Sequence, residues 1–293
     1  MKDSATKLQH LVSDIVTWKK GEQRAPHKPL MLLLAIGSIQ RGEQRLQSFE
    51  AVEPALVRAM ELFGPAGRVP TPQYPFWRLQ HDDLWEVEAD GPMTLRKSSD
   101  DPTKRALIKG RARAGFLTNY FELLRADRNL QALVVHQILD AHFPASIHED
   151  LLAFFGLSVG EPRTADHVSA REFRTSVLSA YQFQCAVSRF SARLGTAVLG
   201  VESAHICWPQ AGGLNAVVNG VALSTLHRKL FHLGVFTIDS DYRVVVSPRA
   251  TGEAPFTETM KRFHGQKISL PAGAQDNPSK KCLAWHASEV FRG

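Results

Sequence analysis

The sequence predicts an α+β protein of two domains, the first mainly helical with a β-hairpin and the second a mixed α+β unit. Three observations predict this. The chain of 293 residues exceeds one ordinary compact domain. Helical apolar periodicity dominates its first half, whereas short mixed elements fill the second. Between them, residues 157–168 hold Gly160, Pro162 and polar residues with no periodicity. The expected domains are residues 1–156 and 169–293, joined by a linker over 157–168.

Leu8, Leu11, Val12, Ile15 and Val16 form a helical stripe over 7–18, which Gly21 to Pro26 breaks. A second helix, about 29–41, carries the core-like run Leu30-Met31-Leu32-Leu33-Leu34-Ala35-Ile36. Ser48, with Glu50 and Glu53 in the first turn, announces a third helix to residue 63. After the Pro-rich stretch 64–75, Phe76-Trp77-Arg78-Leu79 and Leu84-Trp85-Glu86-Val87 read as the two strands of the hairpin. Residues 96–113 hold seven Lys and Arg, and helices are expected at about 117–126, 128–142 and 169–183.

Hydrophobic residues make up 44% and charged residues 22%, values of a globular chain rather than a disordered one. The net charge of +6 and pI near 9.3 favour a polyanionic partner. Residues 1–155 carry 20 basic against 19 acidic residues, and 156–293 carry 15 against 10, so the excess lies in the second domain. Cys185, Cys207 and Cys282 are too few for a disulfide framework. No apolar run is long enough to span a membrane, and the N-terminus does not read as a signal peptide, so a cytoplasmic location is expected.

The second domain holds the catalytic candidates. Ala204-His205-Ile206 ends a short strand, a Gly-rich loop follows, and Asn219-Gly220 is expected to open a helix bearing His227 and Lys229. Histidine titrates near neutrality and so suits deprotonation of water. A helix-borne histidine facing the strand suits a divalent cation that polarises phosphate. Glu202, Ala204, His205, Ile206, Trp208, Gln210 to Gly213, Asn219, Gly220, Leu226, His227, Lys229 and Phe231 lie in a segment that resembles HNH endonucleases. It is most similar to a bacterial restriction group, whose ββα-metal fold the resemblance implies. It further implies His205 as general base, Asn219 as positioning residue, His227 as a metal-site residue, and Mg²⁺ or Mn²⁺ as cofactor; His232, five residues on, has a spacing that could still deliver a nitrogen ligand. Arg228 and His232 depart from the group, which has a second histidine and an aspartate there. Its C-x-x-C and later cysteine are reduced to Cys185, Ser188 and Ser224, which argues against structural Zn²⁺ because hydroxyls are poor zinc ligands.

In the first domain His27-Lys28-Pro29 opens a helix, where donors and the helix end favour a phosphate. Tyr74-Pro75 offers an apolar surface, and Arg111 and Arg113 on a small-residue loop suit groove or backbone contacts. Pro26 to Leu30, Tyr74 to Leu79, Leu84 to Val87 and Arg113-Ala114-Gly115-Phe116 resemble the sulfur-binding domain of phosphorothioate-dependent restriction enzymes. That resemblance implies a sulfur pocket at Tyr74 and Pro75, with His27, Lys28 and Arg113 gripping backbone and groove. Phe76, Trp77 and Trp85 read as core.

The expected function is cleavage of double-stranded, phosphorothioate-bearing DNA, with homodimerisation one route to cutting both strands. A non-cleaving reader with a decayed metal site, and an HNH nuclease reading methylated bases, are the alternatives.

Overall fold

The computed structural model describes residues 2–15, 19, 20, 23, 24, 26–97, 99–159 and 168–293. Most of the expected linker, 160–167, lies outside these residues, as do 16–18 of the first expected helix and 21, 22 and 25 of the break after it. The chain divides into two compact units, Met1–Gly64 with Arg68–Pro162 and Pro65–Gly67 with Arg163–Gly293.

The first unit is built around the helix His27–Gln40, buried at every position from Pro29 to Ile39. A helix apolar on all sides must be surrounded. The helices Phe49–Phe63, Gln73–Arg78, Thr118–Ala126, Arg128–His142 and His148–Phe155 all pack on it. Each fully buried Leu or Ile of this helix contributes about 1.5–3 kcal/mol against exposure. The Ser48 hydroxyl caps Phe49–Phe63 by accepting from the Ala51 amide at 3.2 Å, as its sequence position predicts.

The expected hairpin is not formed. Tyr74 to Arg78 lie in the helix Gln73–Arg78, which runs on as a 3₁₀ turn, Leu79–Asp82. Pro75, Phe76 and Leu79 are buried, a helical spacing that the aromatic composition obscures. Trp85–Glu88 is a strand, but its partner is Arg113–Phe116, the middle strand of an antiparallel sheet completed by Gln47–Ser48. Arg113, expected on a loop, therefore sits on a strand. Gly115 makes the sheet possible: a Cβ there would lie 2.0 Å from the Arg45 carbonyl oxygen.

In the second unit the strands Val201–His205 and Gly220–Ser224 pair antiparallel, from Val201 opposite Ser224 to His205 opposite Gly220. The helix Thr225–His232 follows at once and packs on both strands. Asn219-Gly220 thus opens a strand, not the helix; Val221, Ala222 and Leu223 are fully buried, and Ser224 stops the strand by capping the helix. A second pair, Phe236–Ile238 with Val244–Val246, and the helix Lys280–Glu289 close the unit. Its core includes Val177, Ala204, Ile206, Leu223, Phe231, Phe236 and Leu283. Among the described residues no helix is long and apolar enough to cross a membrane.

Candidate functional site

In the first unit, the start of His27–Gln40 and the Gln73–Arg78 helix come together. Lys28 Nζ donates to Asp82 Oδ2 at 2.6 Å, tying the helix start to the chain just beyond Arg78. Lys28 thus meets a carboxylate rather than solvent. Burial, with Arg68 nearby, lowers the pKa of His27 to about 4, so its imidazole is neutral at pH 7. Neutral His27 remains a hydrogen-bond donor, but not a cation.

Pro75 is buried and Tyr74 half-buried. The Arg78 guanidinium lies 4.5 Å from the Tyr74 ring centroid, and Arg96 donates to the Tyr74 hydroxyl at 3.2 Å. Arg78 is held from the other side by Asp101, to which its Nε donates at 2.6 Å. The hydrogen bond from Arg78 holds the Asp101 carboxyl below the usual range. Arg78 and Arg96 flank the expected sulfur surface, a role that sequence reasoning missed, because only the fold brings residue 96 back to residue 74.

Arg111 and Arg113 edge an open groove of about 450 Å³, also lined by Ser48, Glu50, Asp90 and Leu107. Their side chains are exposed, with loose partners in Asp90 at 3.7 Å and Glu88 at 3.5 Å. Exposed pairs at such distances contribute little and exchange readily for phosphate. Among the described residues no hydrogen bond or ion pair links either arginine to Tyr74.

In the second unit His205 is half-buried at the end of its strand, its ring stacked on Phe173 with centroids 3.8 Å apart. Its Nε2–H donates to Asn215 Oδ1 at 2.8 Å, which leaves the Nδ1 lone pair to act as a base. Burial lowers the pKa of His205; the Asn215 contact opposes this, and the Arg228 charge adds to it. Asn215, in the Gly-rich loop, was not singled out in the sequence, since one asparagine in a loop carries no signal by itself. Asn219 positions the loop: its Oδ1 accepts from the Cys207 amide at 2.8 Å, and Nδ2 donates to the Cys207 and Leu214 carbonyls at 2.9 Å.

His227 does not stand beside His205. It is buried, its Nε2–H donates to the Thr259 carbonyl at 2.7 Å, and Nδ1 lies 3.0 Å from Ser224 Oγ and 3.4 Å from Cys185 Sγ. Placed third in the helix just after the strand, it turns toward the core side, where Cys185 and Phe263 pack. Burial pushes the Cys185 thiol up, but contacts with His227 and Ser188 outweigh this and bring it down to about 6. The positions of the group's zinc ligands do assemble, but as a hydrogen-bonded set containing two hydroxyls, a donor set that does not fit Zn²⁺.

His232 is buried too, and its Nε2–H donates to the His205 carbonyl at 3.3 Å. Burial holds its pKa well below the ordinary value, with Arg228 and His286 adding to the effect. The helix residue whose charge reaches both His205 and His232 is Arg228, bound through Nη1 to Glu202 Oε2 at 2.5 Å. Glu202's other oxygen accepts from Thr225 Oγ1 at 2.8 Å. Among the described residues no group of three or more His, Cys, Asp or Glu side chains converges to hold a metal ion. The ring nitrogens of His227 and His232 turn to different partners, Thr259, Ser224 and Cys185 for the one and the His205 carbonyl for the other, so the two are not brought together around one ion, and the fixed charge of Arg228 on Glu202 is a poor fit to a divalent metal there.

Comparison with known proteins matches residues 5–159 to the family described as ScoMcrA-like, DNA sulfur-binding domain, more than half of the chain. The chain belongs to this family. The sulfur binding domain of ScoMcrA complexed with phosphorothioated DNA is 31% identical, with TM-score 0.46, over 51% of this chain and 94% of that one. The type IV phosphorothioation-dependent restriction endonuclease ScoMcrA is 30% identical, with TM-score 0.43, over 51% of this chain and 27% of that one. The sulfur binding domain of SprMcrA complexed with phosphorothioated DNA is 22% identical, with TM-score 0.46, over 52% and 94%. No curated protein matches the chain. The sulfur-binding-domain match ends before His205, so it bears on Tyr74 and its neighbours and leaves the second unit to its own geometry.

Proposed function

We propose that the chain recognises phosphorothioated double-stranded DNA through its first unit and hydrolyses phosphodiester bonds with its second, as a modification-dependent HNH-type restriction endonuclease. Family membership and the half-buried Tyr74 ring, backed by buried Pro75, support the recognition half. Sulfur is larger and less strongly hydrated than oxygen, so an apolar contact favours the modified diester, while an oxygen would forfeit water hydrogen bonds there. Exposed Arg111 and Arg113 supply sequence-independent grip on backbone or groove.

The observation that carries the hydrolytic half is the orientation of His205 by Asn215. With Nε2–H committed, Nδ1 accepts the proton of a water attacking phosphorus. Asn219 holds the intervening loop so that Asn215 stays within reach. Two copies acting on opposite strands would complete a double-strand break.

The test is a gel shift and cleavage comparison on one duplex with and without a single sulfur. Preferential binding and cutting of the sulfur-bearing duplex is expected. Equal cutting of both removes the recognition half; binding without cutting under every metal and pH condition leaves a reader alone; preference for a methylated duplex points to base reading.

A further inference from the structure

We infer that Arg228 supplies the positive charge next to His205, so that hydrolysis in the second unit proceeds without a divalent metal. This rests on the hydrolase reading above. The geometry of one short helix carries it. Of its three candidate residues, His227 is spent on Cys185, Ser224 and Thr259, and His232 is buried with its Nε2–H on the His205 carbonyl. Arg228 alone of the three brings a permanent charge to the His205 side of the helix, since guanidinium does not deprotonate in proteins.

Glu202 fixes the Arg228 head through Nη1 without using it up. Arg228 Nε is buried and has no hydrogen-bond partner. A buried N–H left unmade is costly, on the order of 1–3 kcal/mol. The planar fork of guanidinium fits two oxygens of one phosphate. A metal cation at the same place would meet this fixed charge at short range and find Glu202 already committed on both oxygens, to Arg228 and Thr225. Burial lowers the pKa of His205 most, and the Arg228 charge adds to it.

The step balances with water as the sole co-reactant. The water oxygen bonds to phosphorus as its proton passes to His205 Nδ1. The bond from phosphorus to the leaving sugar oxygen breaks, and that oxygen takes a proton from solvent. His205 then returns its proton to solvent. The negative charge that grows on the non-bridging oxygens falls opposite the Arg228 donors, where preorganised N–H groups stabilise it most.

The full chain is stripped of metal and assayed on sulfur-bearing duplex in excess EDTA and in Mg²⁺. Equal rates are expected. Arg228→Met should cut roughly 10²–10³-fold more slowly and stay slow in Mg²⁺, while Arg228→Lys, which keeps the charge, should recover part of the rate; an unchanged thermal transition of the second unit reports intact folding. Independently of activity, Mn²⁺ should leave the His205 ring signals sharp in NMR. Loss of cutting in EDTA, or Mn²⁺ broadening of those signals, overturns the inference and leaves the nuclease standing. Absence of cutting with and without metal overturns both.

Discussion

Asn219→Ala should unfold the second unit well before the first. Asn219 is 2% exposed and makes three hydrogen bonds, two to Cys207 and one to Leu214. Leu214 is largely exposed, so its carbonyl regains water after the substitution. Cys207 is buried, and its amide and carbonyl both lose their side-chain partner. At about 1 kcal/mol for each of the three hydrogen bonds lost, the loss comes to about 3 kcal/mol, roughly 10 °C for a unit of this size. Urea and calorimetric unfolding of the full chain read this directly. Asn219→Asp is the sharper control, since it keeps the shape but aims a carboxylate oxygen at two carbonyls, and it should be at least as damaging. A change below about 1 kcal/mol in both variants would refute the assignment of Asn219 as the clasp between the strand end and the loop.

His205→Ala should abolish cutting while leaving the affinity for sulfur-bearing duplex unchanged in a gel shift. Because burial lowers the His205 pKa, its Nδ1 stays available below the ordinary histidine range, and the acid limb of the rate profile should fall below pH 6.5. Stability should fall in acid for a related reason. His286, buried with its Nε2–H on the Phe231 carbonyl, is lowered from 6.5 to about 3. The unfolded chain then takes up protons that the folded chain refuses, so stability holds above pH 6.5 and drops on acidification, by about 2 kcal/mol at pH 5; calorimetry across pH 4–8 checks it. Tyr74→Ala should reduce the binding preference for sulfur over oxygen about tenfold, measured on paired duplexes. Gly115→Ala should destabilise the first unit, since the Arg45 carbonyl cannot yield the space without breaking the sheet edge.

The helices of the first unit were legible because apolar runs and caps are local: Ser48 announces its helix, and Leu30 to Ile36 can only be core. The stretch 76–79 was misread because Phe, Trp and a following second aromatic run imitate a hairpin, while the deciding fact, burial of Phe76 under Phe49 and Leu79 three residues on, is tertiary. In the second unit His205 and Asn219 are marked by the segment that resembles HNH endonucleases. The direction of neighbouring helix residues is not: a step of one residue turns a side chain by about 100°, which separates His227, facing Cys185, from Arg228, paired with Glu202. Which of the two meets the strand depends on where the helix starts, and that was set by Ser224 ending a strand expected to be helix.

The Arg78 and Arg96 guanidiniums over Tyr74 bear on how tightly DNA is held as salt changes. Asp101 cancels part of that charge before any nucleic acid arrives. A diester settling against the tyrosine displaces fewer counterions than it would over bare arginines, so the sulfur contact should fade more slowly with ionic strength than the grip of Arg111 and Arg113. At high salt, discrimination should therefore outlast affinity.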